Sequence, residues 1–442
     1  MRIKHATLAI FLFLDSCAQK PSPPGKAESP LAITNVTVID VVNGTYQNNV
    51  TLLTRADRIA EIGHQVSIPS DAMQVDGTNK FVIPGLWDMH THQEMLSPTA
   101  LDLFVANGVI GTRDMGSGAD YILSLRDRIN RGELLGPEIV AAGPILDPLR
   151  PNEPLSSLPD TFRYFALMRR RVTNADEART AVRDLKERGV DFIKVHDNTP
   201  RDAFFAIADE TAKLGLTFAG HVPASVSIAE AIDSGIRSIE HLANFRVIQE
   251  CGTADRCNEF YDRLAAKNVF QTPTIAFTQA IPDLFRRQPL PHAEYASDGL
   301  LASTRGNAEF SNMSDTALAQ FRARGAASLS AIREMQARGV GILSACDALV
   351  PGFCLHDELE WMAKAGFTPV QALQTATINP ARFLGREQTQ GTVEAGKRAD
   401  LVLLDGDPLV NIRSTRAISA VIVRGKLVPK SEITLLTVKH RR

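Results

Sequence analysis

Between Pro84 and about Leu384, short apolar runs that read as β-strands alternate with helix-like segments. Alternation of this kind demands a parallel α/β architecture, because each return to the next parallel strand needs a crossover, usually a helix. The strand-like runs end at His92, Met115, Ile145, His196, Val222, Leu242, Ile275 and Asp347. Eight such strands predict a (β/α)8 barrel of the TIM type over residues 84–385, with its working groups at the C-terminal strand ends. Helices are expected over Ala175–Arg188, Pro200–Leu214, Ala317–Arg338 and Asp357–Ala365. Asn174 can cap the first of these, and Gly189, Gly215, Gly339 and Gly366 can stop the four. The segments Leu146–Thr173 and Thr278–Asp315 are long for plain connections and are expected to shape a pocket.

Both flanks are rich in β signals. Ala32–Ile39 is a β-branched, alternating run, Asn43-Gly44 and Asp76-Gly77 are turn material, and similar runs recur at Ala399–Leu404 and Ala417–Val428. Residues 31–83 and 386–430 together predict one small β-sandwich domain assembled from both chain ends, with the barrel inserted in it. Arg2 and Lys4 precede the apolar run Ala6–Leu14, which has the length of a signal-peptide core and is too short to span a bilayer. Residues 1–17 are expected to direct export, and residues 18–30, rich in Pro, Lys, Ser and Gly, to form a linker.

Leu14-Asp15-Ser16-Cys17 is similar to a bacterial lipobox, in which Cys17 would carry the lipid; cleavage after Ala18 is the rival reading. The expected location is the bacterial periplasm or a lipid-anchored membrane surface, with secretion as the alternative. Export makes disulfides possible. Cys251 and Cys257 flank a polar loop and are a candidate pair, while Cys346 and Cys354 either bridge across the loop between them or stay as buried thiols.

Lys and Arg total 48 against 50 Asp and Glu, so no strong field draws in nucleic acid or an acidic membrane surface. A small, locally recognised substrate is expected. The strand ends supply its chemistry. His90 and His92 are two residues apart, which places both imidazoles on one face of a strand. Lys194, in Phe192-Ile193-Lys194-Val195-His196, sits among apolar neighbours, where an amine loses its proton readily and can take up carbon dioxide as a carbamate. The bland alternative is a lysine paired with a buried acid or reaching to the rim.

His221 and His241 end two further strand-like runs as a ligand pair would, and Asp347 ends a third, where a bare carboxylate is costly without a cation or donor. Asp347 can also accept and return a proton. His196 shares the strand parity of Lys194 and is a candidate substrate-binding or supporting group. Arg113 is a candidate for a substrate carboxylate, with an internal ion pair to Asp114 or another acid as the competing reading. His356, near an expected helix start, reads as a surface or capping residue.

The stretches Val82–His92, Gly220-His221-Val222-Pro223, Ser238–Leu242, Thr375–Ala381 and Gly391–Val402 together resemble the metal-dependent amidohydrolase superfamily, in its imidazolonepropionase-like and prolidase-like (Xaa-Pro dipeptidase type) branch. That resemblance implies two divalent metal ions, commonly zinc. His90, His92 and Asp347 would bind the first, His221 and His241 the second, and a carboxylated Lys194 would bridge them. It also implies that a hydroxide held between the metals attacks an amide or peptide-like C–N bond, as in a dipeptide or N-acyl amino acid. A deaminase or cyclic-imide or lactam hydrolase is the alternative within the superfamily, and a catalytically silent metal-binding lipoprotein the alternative outside it. Ala345-Cys346-Asp347 stands where Gly-Thr-Asp is frequent, which discourages transfer of a substrate pocket. Barrel enzymes of this kind can associate as homo-oligomers, and no other partner is expected.

Overall fold

The computed structural model describes residues 29–96, 100–149, 154–158, 160–243, 245–285, 288–301 and 314–442. The signal segment 1–17 with Cys17, and residues 18–28 of the linker, lie outside the described residues. No helix among the described residues is long and apolar enough to cross a membrane.

Both chain ends meet in one eight-stranded sheet. Leu31–Asp40 runs antiparallel to Thr45–Arg55 and parallel to Met73–Asp76 and Phe81–Pro84. The reversal after Asp40 is held by its own carboxylate, which accepts from the backbone amides of Val42 and Asn43 at 2.8 and 3.2 Å. Gly44 closes the turn at a φ of +70° that suits glycine. Phe81–Pro84 then pairs antiparallel with Leu401–Leu404, so the C-terminal strands complete a sheet begun by the N-terminal ones. Hydrogen bonding joins these strands into a single continuous sheet. Alternate residues serve two cores: Ile33, Val38, Val82 and Leu403 pack within the small domain, and Ile39, Ile83, Val402 and Leu404 pack against the central region.

The central region is α/β with parallel strands. One sheet contains Leu86–Thr91, Val109–Asp114 and Glu138–Ala141. The other runs Arg169–Arg171, Ile145–Asp147, Phe192–Val195, Thr217–Gly220, Ser238–Glu240, Phe270–Thr272, all parallel. The third strand therefore ends at Ala141, not at Ile145, and Ile145–Asp147 is a separate strand of the second sheet. The Asp191 amide donates to Ala141 O at 2.8 Å, linking the two sheets on one side.

The last expected strand, Val340 to Cys346, forms only an isolated bridge between Gln271 and Ile342. It still makes backbone bonds in both directions. Leu343 N donates to Gln271 O at 2.9 Å, Met89 N donates to Ser344 O at 3.1 Å, and Asp347 N donates to His90 O at 2.8 Å.

Helices form where expected. Ala175–Arg188 is capped by the Asn174 side chain, which accepts from the Asp176 and Glu177 amides, and it ends at Gly189 with φ +90°. Arg201–Lys213, Asp315–Ala337 and Phe353–Lys364 follow. The last begins four residues before its expected start, which turns His356 inward. His356 is buried, with Nδ1 3.0 Å from Thr415 Oγ1 and Nε2 3.1 Å from Asn107 O. It is a hydrogen-bonded core histidine and not a surface or capping residue.

Both cysteine pairs are bridged, Cys251 to Cys257 and Cys346 to Cys354, with Cα separations of 4.7 and 5.6 Å. The second bridge ties Cys346, next to Asp347, to the helix Phe353–Lys364.

Candidate metal centre

The C-terminal strand ends bring the expected side chains together. His90 and His92 leave the end of Leu86–Thr91, Lys194 lies in Phe192–Val195, His221 follows Gly220, and His241 follows Glu240. Nε2 of His90, His92 and His241 lie 3.8, 3.4 and 3.7 Å from the Asp347 carboxylate. His221 joins them through a ring contact with His241 at 4.9 Å between centroids.

The opposite ring nitrogens are held from behind. His90 Nδ1 donates to Glu240 Oε2 at 2.9 Å, and His92 Nδ1 donates to Gly116 O at 3.1 Å. Thr274 gives its hydroxyl proton to Pro273 O, so its oxygen accepts from His241 Nδ1 at 2.6 Å. Fixing Nδ1–H in this way leaves each Nε2 with its lone pair free for a cation. Burial lowers the pKa of His90, His221 and His241 below the usual imidazole value, and the Lys194 charge adds to this. Neutral imidazoles are the ligand form.

Three strained backbone positions lie at the same place. His241 (φ +53°), Thr274 (φ +46°) and Asp347 (φ +55°) all adopt left-handed conformations rare for residues with a Cβ. The turns aim their side chains into one cluster where an extended backbone would carry them past it.

Lys194 is the decisive group. Its Nζ is buried and makes no hydrogen bond among the described residues. Desolvation pulls its pKa down to about 8, while the carboxylates of Glu240 and Asp347 act in the opposite sense. Burial raises the pKa of Asp347, but the imidazoles around it and Lys194 outweigh this and hold the carboxylate well below its usual range. Lys194 Nζ and His221 Nδ1 are both buried without a hydrogen bond among the described residues, as fits a donor set shaped for cations.

His196 stacks on His221 with centroids 4.2 Å apart and faces Asp147 at 3.3 Å, so it adjoins the cluster. Arg113 does not face a substrate. It is wholly buried, donating from Nε to Met89 O, from Nη1 to Ser238 Oγ and from Nη2 to Glu240 and Thr272. The internal ion pair is the reading the structure shows, and its acid is Glu240, not Asp114.

Several groups were not singled out in advance. Glu240 orients His90 and pairs Arg113; its only local signal is a carboxylate in the strand Ser238-Ile239-Glu240, directly before His241. Asp197 lies 3.0 Å from His221 Nδ1, and nothing in its local pattern distinguishes it from a turn aspartate. Asp88 is buried beneath the cluster, its pKa raised to about 7 by desolvation against hydrogen bonds from the His90 and Cys346 amides. Asp88 also lies near both sulfurs of the Cys346–Cys354 bridge, but bridged sulfurs offer no thiolate to a cation.

Parallel strands whose ends gather four imidazoles, a buried amine and a carboxylate define an α/β protein with a candidate metal site at its C-terminal strand ends. The model of the amidohydrolase family matches residues 81–428. The chain belongs to the amidohydrolase family, and it is a hydrolase acting on carbon–nitrogen bonds. Over 441 residues it is 24% identical to ochratoxinase of Aspergillus niger, covering 87% of this chain and 84% of that one. A 104-residue stretch, 22% of this chain and 25% of the relative, is 36% identical to imidazolonepropionase of Treponema denticola. Among solved structures, a putative prolidase from Bifidobacterium longum superposes with a TM-score of 0.70 at 25% identity, covering 94% of this chain and 99% of that one. A Xaa-Pro dipeptidase with bound methionine gives 0.69 at 21%, covering 91% of this chain and all of the other. The suspected branch of the superfamily is the one in which these relatives fall.

Proposed function

We propose that this protein hydrolyses an amide or peptide-like C–N bond in a dipeptide or N-acyl amino acid, using two divalent cations held at the strand ends of a closed (β/α)8 barrel. The observation that carries the reading is Lys194 Nζ, buried without a partner among four imidazoles and Asp347. As a free amine it can add to carbon dioxide, losing one proton and leaving a carbamate with two donor oxygens.

His90, His92 and Asp347 would hold one cation, His221 and His241 the other, and the Lys194 carbamate would reach both. Bound there, a cation pair, zinc in this reading, would polarise an amide carbonyl and lower the pKa of water. Asp347 then accepts the proton released on attack and returns it to the departing amine. Glu240, Gly116 and Thr274 keep three imidazoles in one tautomer throughout. The names of the relatives, a prolidase and an ochratoxinase, support a substrate in which an amino acid is joined through an amide. Export to the periplasm or a lipid anchor is proposed with it, supported by the Ala6–Leu14 run and by the two disulfides.

A hydrolysis screen of zinc-reconstituted protein against dipeptides, N-acyl amino acids, lactams and cyclic imides tests the assignment. Release of a free amino acid from the first two groups is expected. Ammonia release without amide cleavage would point to a deaminase, ring opening to a cyclic-amide hydrolase, and silence across the panel would sink the catalytic reading.

A further inference from the structure

His196, Asp197 and His221 make a cluster distinct from that of His90, His241 and Asp347: one donor atom from each lies within 4.8 Å of the other two. His196 and Asp197 are consecutive and leave the strand Phe192–Val195 at its C-terminal end. The departure is fixed by Thr199, whose Oγ1 accepts from the His196 amide at 3.1 Å and donates to Leu146 O at 3.0 Å.

Three features give this cluster the character of a cation seat. His221 Nδ1 is buried and makes no hydrogen bond among the described residues, although Asp197 Oδ2 lies 3.0 Å away. Two donors bound to one tetrahedral cation at about 2.0–2.1 Å stand roughly 3.3 Å apart, so the 3.0 Å between His221 Nδ1 and Asp197 Oδ2 is close to the spacing of two ligands of one ion. His196 stacks on His221 with centroids 4.2 Å apart. Its Nδ1 faces the buried carboxylate of Asp147 at 3.3 Å, without a hydrogen bond among the described residues, and a carboxylate on that side of the ring favours Nε2 as the atom offered to a metal. The donors are one carboxylate oxygen and two imidazole nitrogens, a set that suits zinc or cobalt(II).

We propose that His196, Asp197 and His221 together hold a divalent cation, so that the cation on the His221 side depends on Asp197 and His196 as well as on Lys194 and His241. The proposal rests on the reading that the strand-end cluster binds cations.

Cobalt(II) titration of the metal-free full chain tests it, followed by visible absorption and by equilibrium dialysis with metal analysis. Wild-type protein is expected to take up about two equivalents. Asp197→Asn and His196→Gln should each weaken the second equivalent by about ten- to a hundredfold and alter its absorption, with the first equivalent unchanged. Asp197 is about a third exposed, so its replacement should leave the fold intact, and Asp197→Glu should restore much of the affinity. A double variant, Asp197→Asn with His196→Gln, that binds both equivalents with wild-type affinity and spectrum overturns the seat. If wild-type protein binds one cation only, the two-cation reading fails separately: the seat stands if the double variant loses that ion and falls if it keeps it.

Discussion

Removing the Glu240 carboxylate should damage stability and cation binding by two different routes that can be measured apart. Glu240 and Arg113 are wholly buried, with Nη2 2.9 Å from Oε1 and 3.1 Å from Oε2. At an effective dielectric of about 20, unit charges ~4 Å apart attract by about 4 kcal/mol. Truncation to alanine forfeits this attraction and leaves a guanidinium in the interior, still bonded to Met89 O, Ser238 Oγ and Thr272 Oγ1 but without the carboxylate in contact with it. Breaking one side of a buried pair typically costs about 3–5 kcal/mol, and Glu240→Ala should lose that much in urea unfolding of the metal-free protein.

Replacing both partners, as Arg113→Met with Glu240→Leu, removes the stranded charge and should recover most of the loss. Cation affinity should not recover. His90 Nδ1 donates to Glu240 Oε2, so both variants release that ring from its tautomer and should bind the first cation about ten- to a hundredfold more weakly. A loss below about 1 kcal/mol for Glu240→Ala, within the range of ordinary substitutions, would refute the reasoning, as would a double variant no more stable than the single one.

Two further outcomes follow from the same structure. Gly220 has φ +143°, and a Cβ there would stand 2.1 Å from Val195 O; Gly220→Ala should cost upwards of about 3 kcal/mol and displace His221, so an unchanged urea midpoint and cation affinity would contradict the packing described. Burial raises Glu358 to about 8 against hydrogen bonds from the Ala276 and Ile275 amides, so between its ordinary value near 4.5 and pH 8 the native state keeps a proton that the unfolded chain releases. That contribution is complete at low pH and declines as pH rises, by up to about 1.4 kcal/mol per pH unit. Glu358→Gln should flatten the decline between pH 5 and 8, and parallel stability profiles for the two proteins would show that Glu358 is not the titrating group.

The residue types and strand positions of the centre were legible along the chain. His90-Thr91-His92, His221, His241 and Asp347 each close a short apolar run and Lys194 lies within one, and burial with a two-residue period is a local property that a single segment displays. Helix limits at Asn174 and Gly189 were legible for the same reason, since caps act within one turn. The eighth run was expected as a regular strand and bridges only at Ile342, because whether runs join a sheet or bridge at a single pair depends on neighbours remote in sequence.

The supporting groups were hidden by the same distance. Glu240 reaches His90 across 150 positions and Arg113 across 127, and His356 reaches Asn107 across 249. Arg113 and His356 have local surroundings compatible with either a surface or a core role. Sequence alone determined which donors the strand ends present, because alternation and burial are written into each run. Only the tertiary structure decided what stands behind those donors, because a tautomer, a buried counter-charge or a strained turn at Asp347 arises where separate strands are packed side by side.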